Sequence, residues 1–297
     1  MHSGVSEVVS VANGLVDQRL AGLERKFEIL KYPIVRTGEV LEPVGVLADF
    51  SADIIDPVAA ERARRDYLPI PHRDNREGYC GDDHARYWLT GLEDHDKVVA
   101  ALNRTSATGH RVYDFGGSTG RVFRHFFCQE RSFEVWTSDF KVANFTWNQR
   151  YIPSDVRIFL NGFYPALPIP DGHFDVITAF SVFTHIDELE SPWLLELRRI
   201  LKPGGLLYVT IHDDAYWDVM SESVLAAIRT SPNGSDVTSA SPFPDERTAF
   251  HFTQEGYYSC NVFHPHEYIH REWGRFFEIL DVRPRDHQSQ CVVLMSY

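Results

Sequence analysis

The sequence predicts an α/β fold in which helices cover both faces of a mostly parallel, doubly wound sheet that begins near residue 110. Short apolar runs of strand length alternate with helix-compatible stretches between residues 111 and 211, a pattern typical of βαβ units. A glycine-rich turn follows the first run, and an acidic residue ends the second. The 297 residues, 43% hydrophobic and 24% charged, suffice for one large domain with added segments.

The elements of this region follow from the positions of the apolar runs. Strands are predicted at residues 111–115, 133–137, 156–160, 174–179 and 206–211, with helices at 119–128 and 141–150 between the first three. A further helix is expected to begin with Ser191 as its N-cap and Pro192 at its first position, and to stop before residues 202–205. Two final strands are expected at residues 276–282 and 291–296.

The flanking segments suggest additions to this core. Residues 1–78 contain scattered prolines and short apolar runs, so we expect a helical and irregular extension with a charged helix at 58–67. Residues 79–297 would then form the main domain, entered through a helix-compatible stretch at 79–102. The segment 213–274 is too long for a simple connection and is expected to be a lid or acceptor-binding insertion.

The composition of the chain argues against nucleic acid, metal and membrane partners. The chain has 29 Lys and Arg against 42 Asp and Glu, a formal charge of -13, so a polyanionic nucleic acid is a poor partner. The four cysteines lack metal-ligand spacing, and no metal site is expected from them. Neither a secretory signal nor an apolar run of membrane-spanning length is visible, so the expected location is cytoplasmic, without membrane attachment.

The glycine-rich turn is the strongest chemical signal. The sequence Asp-Phe-Gly-Gly-Ser-Thr-Gly-Arg occupies residues 114–121, and such a turn lets the backbone approach a ligand closely. Asp139 lies 23 residues after Gly116 (139 minus 116), at the end of the second predicted strand. An acidic side chain at this spacing can accept hydrogen bonds from both hydroxyls of a ribose. Together the two features indicate a site for a nucleoside-type cofactor.

The glycine-rich turn is also compatible with three other interpretations. A dinucleotide fingerprint requires glycine where Ser118 and Arg121 stand. The turn also matches GxSxG, the nucleophile elbow of α/β-hydrolases, with Asp175 and His212 or His264 available downstream. Finally, the chain could be a non-catalytic protein, in which the turn only joins a strand to a helix or binds a cofactor without an acceptor pocket.

Four motifs in order resemble the class I S-adenosylmethionine-dependent methyltransferases. They are the turn at 114–121, Asp139, residues 167–177 (LPIPDGHFDVI) and residues 201–207 (LKPGGLL). The resemblance covers about residues 110–212. It implies a seven-stranded sheet with one antiparallel strand, and S-adenosyl-L-methionine as cofactor. It also implies that the turn wraps the cofactor's amino acid part, that Asp139 holds the ribose and that Phe140 contacts the adenine.

The sequence departs from the family pattern at two places. Ser118 stands where the family usually has glycine, and residues 161–163 (Asn-Gly-Phe) replace an acidic residue that often binds the adenine amino group. Asn161 is the expected substitute. The full set of expected cofactor-binding residues is Asp114, Gly116, Gly117, Ser118, Gly120, Asp139, Phe140, Asn161 and Ser181.

The methyl acceptor is expected at the carboxyl ends of the fourth and fifth predicted strands, where open α/β sheets bind ligands. Histidine is suited to remove a proton from an oxygen acceptor near neutral pH, and His185, His212 and His264 are the candidate bases. The chain's ending has a looser similarity to methyltransferases of glycan and natural-product pathways. We therefore expect O-methylation of a sugar, glycan or other small molecule, by a protein that could form a homo-oligomer.

Overall fold

The computed structural model describes residues 40–105, 110–129, 133–251 and 260–297, so the predicted N-terminal extension is described from residue 40 onward. Its first elements form a small layer of their own. A short antiparallel pair joins β1 (Gly45–Val46) to β2 (Pro69–Ile70), with a 3-10 helix (Leu47–Asp53) and helix α1 (Pro57–Ala63) between them. Helix α2 (His84–Leu102) leads into the main domain.

Helices α1 and α2 both begin at an aspartate N-cap. Asp56 accepts a hydrogen bond from the Ala59 amide, and Asp83 accepts one from the Arg86 amide. Both helices are shorter than predicted, since α1 ends at Ala63 and α2 begins at His84. Glycines and left-handed residues between 77 and 81 keep that segment out of the helix.

The described part of the chain contains nine further strands: β3 (Arg111–Phe115), β4 (Glu134–Asp139), β5 (Arg157–Leu160), β6 (Phe174–Ala179), β7 (Leu201–Ile211), β8 (Thr248–His251), β9 (Cys260–Phe263), β10 (Glu278–His287) and β11 (Gln290–Ser296). Seven of them form one sheet in the order β10-β11-β7-β6-β3-β4-β5. Strand β11 runs antiparallel to both of its neighbours, and the pairs from β7 to β5 are parallel. The predicted seven-stranded, mostly parallel sheet is confirmed.

Among the described residues, six further α-helices accompany the strands: α3 (Phe123–Cys128), α4 (Val142–Tyr151), α5 (Glu190–Ile200), α6 (Asp214–Trp217), α7 (Glu222–Arg229) and α8 (His266–Glu272). Successive strand residues point to opposite faces, and each face has its own buried core. On β3, Val112 belongs to the core under α2 and α3, whereas Tyr113 belongs to the core under α5. Burial on both faces explains why β3, β6 and the second half of β7 are mostly apolar.

Three predicted boundaries are wrong for identifiable reasons. Helix α5 begins at Glu190 with Leu189 as its N-cap, because Pro192 is tolerated within the first turn, where helix amides have no partner. Strand β7 begins at Leu201, since a register shift opposite β6 absorbs residues 202–205 without ending the strand. Helix α3 begins at Phe123, because the glycine-rich turn extends through Gly120, which has φ +93°.

The segment after β7 forms a small body beside the carboxyl ends of the strands. Trp217, Ile228, Phe250 and Phe263 share an apolar cluster there, and a bridge between His212 and Phe263 joins the segment to the end of β7. Within the described residues, no helix has the length and apolar character that a bilayer span requires.

Candidate active site

The glycine-rich turn leaves β3 at the switch point of the sheet, between β6 and β4, where the order of strands reverses. The amides of Gly116 and Gly117 donate to the Ser138 carbonyl at 3.0 and 3.1 Å, which ties the turn to β4. Gly116 has φ +74°, and a β-carbon there would lie 2.7 Å from Val182 Cγ2. Glycine is therefore required at this position both by backbone conformation and by space.

Asp139 organises the edge of the site at the end of β4. Its Oδ2 accepts hydrogen bonds from the Ser118 amide at 3.1 Å and from Asn144 Nδ2 at 3.1 Å, and its Oδ1 accepts from the Lys141 amide at 2.7 Å. Burial raises the pKa of Asp139 to about 6, with a further upward contribution from Glu77. The carboxylate thus couples the turn to the start of α4.

A cavity of about 210 Å³ opens beside the turn, at the carboxyl ends of β3, β4 and β6. Two aromatic rings line one part of it, Phe140 and Phe163, with centroids 5.2 Å apart. Two buried polar atoms of its lining, Ser118 Oγ and Asn161 Oδ1, have no hydrogen-bond partner among the described residues. The lining includes six of the nine predicted cofactor residues: Gly116, Ser118, Asp139, Phe140, Asn161 and Ser181.

The other three predicted cofactor residues lie outside this lining. Asp114 is buried beneath the turn, where its Oδ1 accepts from Thr178 Oγ1 at 2.7 Å and burial raises its pKa to about 6. Gly117 packs so closely on β4 that a β-carbon would lie 2.3 Å from Thr137 Oγ1. Gly120 ends the turn against the Phe123 ring. Asp114 and Gly117 instead line a small adjoining space of about 30 Å³, which they share with Gly116 and Ser118.

A second cavity of about 610 Å³ adjoins the first. The two share four lining residues, Glu77, Tyr79, Ser181 and His185. The second cavity has a mainly polar lining that includes His212, Tyr216, Asn261, His287 and Gln290. Ligands in the two cavities would therefore meet at Ser181 and His185.

His185 stands at this junction in a defined tautomer. Its Nδ1 lies 2.8 Å from the Cys260 carbonyl, which can only accept a hydrogen bond, so Nδ1 carries the proton. The proton acceptor of the neutral ring is then Nε2. Burial lowers the pKa of His185 to about 4, so the imidazole is neutral throughout the neutral pH range.

The other two predicted bases have different surroundings. His212 lines the second cavity and stacks on Tyr216 with centroids 3.9 Å apart; burial lowers its pKa well below the usual value. His264 is fully buried and lies in neither cavity. Its Nε2 is 2.7 Å from Glu190 Oε2, while Tyr268 and Trp273 donate to Oε1 of the same carboxylate. We therefore assign His264 to packing under α5 instead of proton transfer.

The structure adds a network that the sequence did not reveal. Tyr79 Oη lies 2.7 Å from Ser181 Oγ and 3.2 Å from His287 Nε2, and His287 Nδ1 lies 2.9 Å from Asp94 Oδ1. Arg121 forms an ion pair with Asp94 at 2.6 Å and stacks over the Tyr79 ring at 4.4 Å. This network fixes the wall between the two cavities. The one local feature of the sequence that points to this network is Tyr79, which stands between Gly78 and Gly81.

The hydrolase interpretation is not supported by the geometry. Ser118 Oγ has no hydrogen-bond partner among the described residues, so no histidine activates it there. Asp175, the proposed acid, lies at the opposite end of the sheet, where it accepts from the Arg111 amide at 3.0 Å and from Lys202 Nζ at 2.8 Å. The parts of a catalytic triad are therefore not brought together.

Comparison with known proteins agrees with this geometry. A family model described as a methyltransferase domain matches residues 73–259, more than half of the chain. A ubiquinone/menaquinone biosynthesis C-methyltransferase of Azotobacter vinelandii is 36% identical over 107 residues, 34% of this chain and 42% of that protein. The protein of the same name from Paraburkholderia xenovorans is 32% identical over 143 residues, 44% of this chain and 55% of that protein.

The chain thus spans about half the length, or less, of these curated relatives. Among solved structures, the 1,6-didemethyltoxoflavin N1-methyltransferase of Burkholderia thailandensis is similar with a TM-score of 0.49 and 12% identity. That match covers 86% of this chain and 92% of the other. On the family match and the order of its sheet, the chain belongs to the class I S-adenosylmethionine-dependent methyltransferases.

Proposed function

We propose that the protein transfers a methyl group from S-adenosylmethionine to a hydroxyl oxygen of a small polar molecule, such as a sugar, a glycan or a natural product. One observation carries the proposal: the cavity beside the glycine-rich turn adjoins a second, polar cavity, and they meet at Ser181 and His185. A donor and an acceptor held in the two cavities would be neighbours, and positioning of this kind supplies much of the acceleration in a transfer reaction.

The residues of the first cavity fit the donor. Asp139 in the lining would accept hydrogen bonds from the ribose hydroxyls, and Phe140 with Phe163 would enclose the adenine ring. Asn161 Oδ1 and Ser118 Oγ, which have no hydrogen-bond partner in the part of the chain that the structure describes, would accept from the adenine amino group and offer a further polar contact, respectively. When bound, the cofactor supplies a methyl group on a positively charged sulfonium.

The second cavity supports a polar acceptor. Histidine, tyrosine, asparagine and glutamine side chains line it, and these groups suit a molecule with several hydroxyls. Tyr216 and Asn261 come from residues 213–274, which we propose to be an acceptor-binding insertion. In this account Nε2 of His185 accepts the hydroxyl proton as the oxygen gains the methyl group.

Carbon methylation is the second candidate function. It is favoured by the two relatives above, both named as C-methyltransferases, although they match less than half of this chain. Methylation of a carbon beside a hydroxyl or carbonyl also requires removal of a proton, for which the same histidine is available. A non-catalytic cofactor-binding protein is disfavoured, because the second cavity is open beside the first.

The test is methyl transfer from S-adenosylmethionine carrying an isotopic label in the methyl group. Purified protein is incubated with two acceptor panels, one of glycosides and hydroxylated natural products and one of quinols and phenols, and products are located by NMR. We expect the label on an oxygen. A label on carbon would favour carbon methylation. Binding of the cofactor without transfer to any acceptor would favour a non-catalytic cofactor-binding protein.

A further inference from the structure

Three side chains that commonly bind metals meet beside the end of β7, in a group that plays no part in the proposed methyl transfer. Asp213, His266 and Cys291 each offer one ligand atom, and these atoms all lie within 4.8 Å of one another. His266 Nε2 is 3.0 Å from Asp213 Oδ2 and 3.8 Å from Cys291 Sγ. The group combines a carboxylate, an imidazole and a thiol around one point.

The register of the sheet brings these residues together. Cys291 in β11 lies opposite Ile211 in β7, and Asp213 follows Ile211 by two residues, so the two side chains share one face. The His264 amide donates to the His212 carbonyl at 2.8 Å, which carries the chain alongside the end of β7. His266 then begins α8 with its ring directed at the other two residues.

Burial gives the group an electrostatic reason to bind a cation. The Asp213 side chain is fully buried and so is Cys291, whereas the His266 side chain is about one-third exposed and offers an entry path. Asp213 Oδ1 accepts from the Tyr216 amide at 2.9 Å, which leaves Oδ2 directed at His266. Burial raises the pKa of the Cys291 thiol, so a divalent ion would bind by displacing the thiol proton to solvent; the ligands would then carry two negative charges, which the divalent ion neutralises.

We infer that Asp213, His266 and Cys291 form a zinc site. Zinc accepts thiolate, imidazole and carboxylate ligands, whereas calcium and magnesium favour oxygen ligands alone. In tetrahedral zinc sites the ligand atoms are separated by roughly 3.3 to 3.6 Å, as bond lengths of about 2.0 to 2.3 Å require. The separations of His266 Nε2 from Asp213 Oδ2 and from Cys291 Sγ are within about half an ångström of that range, and the third separation is at most 4.8 Å, so small side-chain rotations would complete the geometry.

The fourth position has a candidate in this chain. Asp214 Oδ1 lies 4.0 Å from His266 Nε2, and the Asp214 side chain is exposed, so either this carboxylate or a water molecule would complete the tetrahedron. Zinc would tie together the ends of β7 and β11 and the start of α8. Because Asp213 also caps α6, the ion would hold Tyr216 in place against His212.

The experiment measures zinc bound to the purified full chain. The wild-type protein is loaded with zinc, passed through gel filtration and analysed by elemental mass spectrometry; we expect about one zinc per chain. His266→Gln and Cys291→Ser are each expected to retain less than about one-tenth of that amount, because each variant leaves only two of the three ligands that the group supplies. Cobalt substitution adds a second readout, a thiolate-to-cobalt absorption band that Cys291→Ser removes.

Two matched variants serve as controls. His270→Gln lies on the same helix with an exposed side chain, and Cys128→Ser changes a buried cysteine in α3; both should retain about one zinc. If Cys291→Ser does not fold, the partly exposed His266→Gln decides the question. Wild-type protein without retained zinc would overturn the inference, and so would unchanged zinc content in His266→Gln. None of these outcomes depends on methyl donor binding.

Discussion

Replacing His185 by asparagine is expected to lower kcat by about 100-fold, the lower end of the range that a positioned general base contributes, because an imidazole with its pKa lowered to about 4 is a weak base at neutral pH. The asparagine amide can still donate to the Cys260 carbonyl in place of Nδ1, so the local fold is preserved while Nε2 is lost. Burial keeps the pKa of His185 at about 4, which makes the neutral base available across the neutral range. The measurement is kcat with the best acceptor of the screen, alongside S-adenosylhomocysteine affinity, which should stay within a few-fold of wild type.

Two further histidine variants test whether the loss of turnover is specific to His185. His251→Asn alters an exposed histidine that pairs with Asp187 at 2.7 Å, and it should leave both turnover and affinity unchanged. His212→Gln changes a residue of the second cavity, so its main effect should be on the KM for the acceptor. Full turnover in His185→Asn would show that positioning alone drives the transfer and that no general base acts at this place.

The second large effect is expected for Asp139→Ala, which should weaken binding of S-adenosylhomocysteine by about 2 to 3 kcal/mol, roughly 30- to 150-fold. The variant loses hydrogen bonds to the ribose and also those that Asp139 accepts from Ser118, Lys141 and Asn144. Calorimetric titration measures the change. Unchanged affinity would remove Asp139 from the cofactor site.

Asp139→Asn provides the matched control through pH dependence. Burial raises the pKa of Asp139 to about 6, so in the free protein the carboxyl group becomes neutral as the pH falls below that value. Ribose hydroxyls donate to the charged form, so wild-type affinity should rise between about pH 5 and pH 7 and then level off. The asparagine variant cannot ionise and should lose most of this dependence. An equal slope in both proteins would assign the titration to another group, with Asp114 the first candidate.

Local sequence patterns predicted much of the sheet. Strands β3 and β6 occupy the predicted residues, because each is a short, mostly apolar run that is buried on both faces. The start of α3 was wrong because Ser118 adopts φ +48°, although it is not glycine, within a turn that continues to Gly120. Strand β7 was longer than predicted because the register shift opposite β6 has no signal in β7 itself.

In the site, too, only residues that a local sequence pattern positions could be predicted. Residues within or directly after a predicted strand, such as Asp139 and Ser181, could be placed from sequence because the strand carries them to the cavity. The contacts of His287 with Tyr79 and Asp94 join residues 208 and 193 positions apart, and no local period encodes such pairs. Asp213, His266 and Cys291 are likewise brought together by the register of β11 against β7. The prediction that the cysteines form no metal site used only their spacing along the chain, which does not contain this register.

The cavity beside the glycine-rich turn is expected to bind S-adenosylmethionine. Calorimetric titration of the wild-type protein with S-adenosylhomocysteine tests it most directly, with NADH as the control ligand. We predict one-site binding in the micromolar range for S-adenosylhomocysteine and none for NADH. Binding of NADH alone, or of neither ligand, would contradict the account of the site.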